Sequence, residues 1–142
     1  MSKKTITPKN ASGVTPGRSA TVLIGGEAFE LVLTTRATRL IAQRYGGLEN
    51  LGQTLETSDD LGKTLAEVIW LVALLANQSV AIHNLKHPDQ PRPELTEEQV
   101  ELLTVPADLA DYRDAITEAL QRGTRRTIAT EPVPKAPPAA GA

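Results

Sequence analysis

The apolar residues of this chain change period at Leu33. Before it, Thr21 to Ile24 reads as a strand, and Gly25-Gly26 supplies the positive φ angles of a two-residue hairpin turn. The return strand sets Phe29, Leu31 and Leu33 on one face and Glu30 on the other, the alternation of a half-buried strand. After it, Ala37, Leu40, Ile41 and Tyr45 recur at helical spacing, with Arg36, Arg39 and Arg44 mostly facing outward. Thr34 or Thr35 caps this helix, and Gly46 or Gly47 gives its left-handed stop. Leu48, Leu51 and Leu55 form a second short stripe. An isolated hairpin is marginal in water, so its Phe29 face must rest on something.

Ser58-Asp59-Asp60 offers cap oxygens and negative charge to the longest predicted helix, from about Leu61 to Ile82 or His83. Its centre, Val68 to Ala76, is apolar all round. A helix of that kind is either enclosed on every side or partly exposed. The remaining domain looks too small to enclose the whole circumference, so apolar surface is expected to stay open. Asn84 to Glu94, with Pro88, Pro91 and Pro93, reads as a loop. Thr96-Glu97-Glu98-Gln99 matches a capping box and starts a helix to about Leu103, with Val100 and Leu103 as its apolar positions. After Val105-Pro106, Leu109, Tyr112, Ile116 and Leu120 line one face of a last helix ending at Gly123.

This pattern predicts a mainly α domain with a small β-hairpin, an α+β arrangement in which the hairpin packs on a bundle of about four to five helices. The domain spans 20–123. Residues 1–19, rich in Lys, Thr, Ser, Gly and Pro, and the Pro/Ala-rich residues 124–142 are expected to be disordered extensions.

With only 3% aromatics, the core must be aliphatic, and the absence of cysteine removes disulfides and thiolate metal sites. A cytosolic protein is the plain expectation. The net charge of −2 conceals a polarity: residues 1–44 carry +5, residues 45–118 carry −10 and residues 119–142 carry +3. So acidic a middle argues against a phosphate backbone as partner. The apolar run from Val68 to Ala76 is half of what a membrane span needs, and the Ser-Lys-Lys start has no apolar stretch of a signal peptide behind it.

Candidate chemistry is thin. His83 and His87 stand at i, i+4 with Asp89 nearby, a spacing that can hold a metal, but Pro88 ends the helix and spoils the geometry. Glu97, Glu98, Glu101, Asp108, Asp111 and Asp114 suit solvated helix faces better than carboxylate catalysis. No enzyme, cofactor or metal is expected. Leu40 to Gly46 matches the start of a helix-turn-helix motif, yet Leu48 to Glu56, where the recognition helix belongs, holds two acids and no Lys or Arg.

A Gly-turn hairpin, Leu33-Thr34-Thr35-Arg36-Ala37 opening a helix and Gly46-Gly47 closing it resemble the small tail assembly chaperones of long-tailed bacteriophages. The similarity continues through the apolar central helix, the loop, the Thr96-Glu97-Glu98 start and the Tyr112-Arg113-Asp114-Ala115-Ile116 helix, covering about residues 20–122. It implies a protein that keeps a tape-measure protein soluble and recruits tail-tube subunits in the host cytoplasm, and that is absent from the mature particle. Members of that family are often also made as a longer frameshifted product, and the tail around Pro134-Lys135 lies where such a join would fall. A structural tail or adaptor protein retained in the particle is the alternative. On this reading the Trp70 helix and the Leu109–Leu120 helix form a groove for client helices. Ile69, Trp70, Leu74, Leu109, Tyr112 and Ile116 are its candidate partner-binding residues. Homo-oligomerisation is a further expectation, since edge strands and apolar helices seek partners.

Overall fold

A computed structural model of the chain describes residues 17–56 and 60–124. Strands β1 (Ser19–Ile24) and β2 (Glu27–Val32) form an antiparallel hairpin in which Ala20 faces Leu31 and Val22 faces Phe29. Gly25 and Gly26 adopt φ of 62° and 86°, the positive values a two-residue turn demands. Among the described residues five helices follow: α1 (Thr35–Tyr45), α2 (Leu51–Glu56), α3 (Leu61–Lys86), α4 (Glu97–Leu103) and α5 (Leu109–Thr124). Short 3-10 turns at Leu48–Asn50 and Pro106–Asp108 lead into α2 and α5. The molecule is thus mainly helical, with the hairpin packed on the helices. The expected disordered ends lie largely outside the described residues, although Ser19 already belongs to β1 and Thr124 to α5.

Capping chemistry sets most boundaries. Thr34 caps α1, its Oγ1 accepting from Ala37 N at 3.0 Å. Gly46, at φ 86°, ends the helix by donating its N–H to Ala42 O. Asp60 caps α3 through Lys63 N; Ser58 and Asp59, the other proposed caps, lie outside the described residues. The capping box at α4 is complete: Thr96 Oγ1 accepts from Gln99 N, and Gln99 Oε1 accepts from Thr96 N.

The core forms where β2 meets α3 and β1 meets α5. Ala20, Val22, Ile24, Leu31 and Leu33 of the hairpin are buried with Ala115, Ile116 and Ala119 of α5 and with Val68, Leu71, Val72, Leu75 and Ala76 of α3. The small residues of α5 allow close approach. Gly123 does so most acutely, since a Cβ there would stand 2.5 Å from Leu33 Cβ. Gly123 therefore makes room for a strand end and adopts no positive φ; α5 runs through it to Thr124.

Two sequence expectations need correction. The surrounding elements enclose the centre of α3: between Val68 and Ala76 every residue is buried except the half-buried Trp70 and Leu74. The domain is large enough because β2, α4 and α5 all pack against this helix, with α1 and α2 adding smaller contacts. The helix also continues beyond His83 to Lys86. Its 26 residues are long and apolar enough to cross a bilayer by length and composition alone, as a buried core helix also is, and more than half of the apolar stretch is buried.

Candidate functional site

Four side chains meet where α1 crosses α3. Arg44, in the last turn of α1, donates from Nε and Nη2 to the two carboxylate oxygens of Glu67 at 3.0 and 3.3 Å. Its guanidinium lies 4.3 Å from the centre of the Trp70 ring, in cation–π range. Tyr45 donates its hydroxyl to the same Glu67 and meets Trp70 edge-on, with ring centres 6.0 Å apart at 75°. Burial opposes ionisation of Glu67, but the hydrogen bonds from Arg44 and Tyr45 outweigh it and hold the carboxyl below its ordinary value. Burial, and then the bond to Glu67, pushes the Tyr45 hydroxyl well above its ordinary value. The Arg44 and Glu67 charges and the Tyr45 hydroxyl are matched inside the chain, so the cluster fastens α1 to α3.

That cluster accounts for Trp70, which is half-buried under Arg44 and Tyr45. Leu74 and Leu109 are also half-buried against the core. Ile69, Tyr112 and Ile116 are buried outright. The proposed groove between the Trp70 helix and the Leu109–Leu120 helix is therefore filled by the protein's own packing, because α3 and α5 share the hairpin as a common partner. These three residues serve as core. Burial, with Asp108 close by, pushes the Tyr112 hydroxyl up to about 12.

The Pro-rich segment after α3 is fastened rather than free. Asn77 accepts from Leu95 N and donates to Leu95 O, both at 2.7 Å. Asn84 treats Arg92 likewise, at 2.8 and 3.0 Å. Seven helical residues separate the two asparagines, which puts them on nearly one face about 10 Å apart. Three residues of extended, proline-rich chain cover about 9 Å, so Arg92 and Leu95 fall in register. Nearer the turn, a ring nitrogen of His83 bonds Gln90 O at 2.8 Å, and the His83 and His87 rings lie 4.9 Å apart, tilted by 34°. The paired histidines thus anchor the start of this strap; among the described residues no group of three or more His, Cys, Asp or Glu is arranged to hold a metal.

Large apolar side chains do reach the surface, but elsewhere. Leu23 is 62% exposed, Leu102 78%, Leu103 50% and Val105 58%. Of the two apolar positions read from the sequence of α4, Val100 alone is buried, and Leu103 lies over the hairpin turn at Gly25. Periodicity within α4 does not reveal this, because seven residues leave the facing surface to be chosen by tertiary contacts.

Comparison with known protein families, with curated proteins and with solved structures returns no match to this chain.

Proposed function

We propose that this protein is a noncovalent assembly factor of the tail assembly chaperone type, holding an elongated helical client, the tape-measure protein, and handing it to tail-tube subunits. Two things support this reading: the resemblance of the element order, and one observation about the surface. Six large apolar side chains stay exposed among the described residues, and four of them, Leu23, Leu102, Leu103 and Val105, belong to the hairpin and to the C-terminal end of α4. Exposed apolar groups that cluster mark contact surfaces for other chains. The client is held here by that surface rather than by the central helix.

Co-expression with the products of the neighbouring genes tests the proposal. A chaperone brings the tape-measure protein into the soluble fraction and co-purifies with it. Mass spectrometry of purified particles then separates this reading from a retained tail or adaptor protein: the chaperone is missing from them. A client that stays insoluble, or particles that contain this chain in stoichiometric amount, would refute the proposal. For the helix-turn-helix alternative, the segment 48–56 holds a 3-10 turn and a six-residue helix with Leu51 and Leu55 buried. Nothing basic in it faces a groove.

A further inference from the structure

Four of the six large exposed apolar residues, Leu23, Leu102, Leu103 and Val105, lie on the hairpin and at the C-terminal end of α4, while Leu61 and Leu85 stand at the two ends of α3. Leu103, at the C-terminus of α4, touches the position a Gly25 side chain would take, at 3.0 Å from its Cδ2 and 3.2 Å from its Cβ. The hairpin turn and the α4 end therefore form one surface, with Leu23 two residues before the turn and Leu102 and Val105 flanking Leu103. The two segments that build it carry charge of a single sign. Residues 19–33 and 95–112 contain seven Asp and Glu and no Lys, Arg or His. Of these, Glu27, directly after the turn, and Glu98 and Glu101, on the same short helix as Leu102 and Leu103, are exposed, and Asp108 is half-buried.

We propose that this hairpin-and-α4 end is a docking surface for a basic amphipathic helix of the client, whose apolar stripe covers Leu102, Leu103, Val105 and Leu23 while its Lys and Arg meet Glu27, Glu98 and Glu101. The proposal rests on the chaperone reading for the identity of the client, and charge complementarity selects the kind of helix. Apolar contact supplies affinity, and the acidic rim steers encounter and rejects acidic helices. A short helix next to a hairpin turn suits the task, since its side chains stand clear of the core.

The test uses the full chain and two synthetic amphipathic helices with the same leucine stripe, one bearing lysines and the other glutamates. The lysine peptide should bind, more weakly at high salt, and the glutamate peptide should not. Leu102→Asp makes the surface more acidic, so a purely electrostatic contact would tighten; the docking surface predicts a loss of about tenfold or more. Glu98→Lys with Glu101→Lys should weaken the lysine peptide and admit the glutamate one. Leu85→Asp, at a site 81% exposed near the far end of α3, serves as the control and should change nothing. Circular dichroism confirms folding, which changes at such exposed positions leave intact. Equal binding of both peptides, indifference to Leu102→Asp, or a dimer that Leu102→Asp dissociates and the peptide does not would each overturn the proposal. Co-expression separates the two levels. If Leu102→Asp still solubilises the tape-measure protein, the surface is wrong and the chaperone reading survives. If the wild type fails to solubilise it yet binds the lysine peptide, the surface stands and the client is another chain.

Discussion

Ile116 and Leu102 are both apolar residues on short amphipathic helices, and burial separates their roles. Ile116 is fully buried, so Ile116→Ala should cost about 2–5 kcal/mol, seen as a lower midpoint in urea. Gly123 makes an opposite demand, for empty space. The methyl of Gly123→Ala would collide with Leu33 Cβ and stand 3.1 Å from Leu33 O, so overpacking of about 1–3 kcal/mol is expected in thermal melts despite the better helix propensity of alanine. Thr64 is buried with a hydroxyl that has no hydrogen-bond partner among the described residues. Thr64→Val keeps the shape and removes an unsatisfied polar atom, which should raise stability by about 1 kcal/mol. Of these three, only Ile116 was legible in the chain, as part of a stripe. A helical stripe shows which residues face inward, whereas Gly123 and Thr64 depend on what another element places opposite them.

Local chemistry made the elements themselves legible. The Gly25-Gly26 turn, the Thr34 cap, the Gly46 stop and the Thr96–Gln99 box each involve residues within four positions of one another, and all stand where expected. The end of α3 was missed because its last turn is held by tertiary bonds: Asn84 and His83 fasten the strap that follows. Asn77→Ala removes two bonds to the half-buried Leu95 and should cost about 1–3 kcal/mol, with loss of hydrogen-exchange protection at the Leu95 amide. The α1–α3 junction adds a pH dependence. Folding lowers the Glu67 carboxyl below its ordinary value of 4.5, so its stabilising effect is complete above that value and fades as pH falls through the folded one. Urea titrations at neutral and acidic pH should therefore show less acid sensitivity in Glu67→Gln. The effect is modest, because the Arg44 side chain is 38% exposed and solvent screens the pair.

At the scale of the whole molecule, the question is which apolar surface the protein lends. An all-apolar helix suggested that α3 does, and its sequence gave no way to tell an enclosed helix from an open one, since both are apolar on every face. The fold places the hairpin, α4 and α5 around its centre, and the hairpin-and-α4 end holds four of the six large apolar side chains that stay exposed. Hydrogen exchange distinguishes the two arrangements energetically. If α3 is core, the amides of Val72 and Leu75 open only with the whole domain, so their exchange free energies should equal the stability obtained from urea unfolding. Helix α4 has seven residues and a single buried side chain, Val100, and its amides should exchange through smaller openings. Adding the lysine-bearing helix should raise protection in α4 and around Gly25 while leaving the α3 centre at the global limit. Were Val72 and Leu75 to exchange well below that limit, α3 would be opening to expose its apolar face, and client binding would have to be reassigned to the central helix.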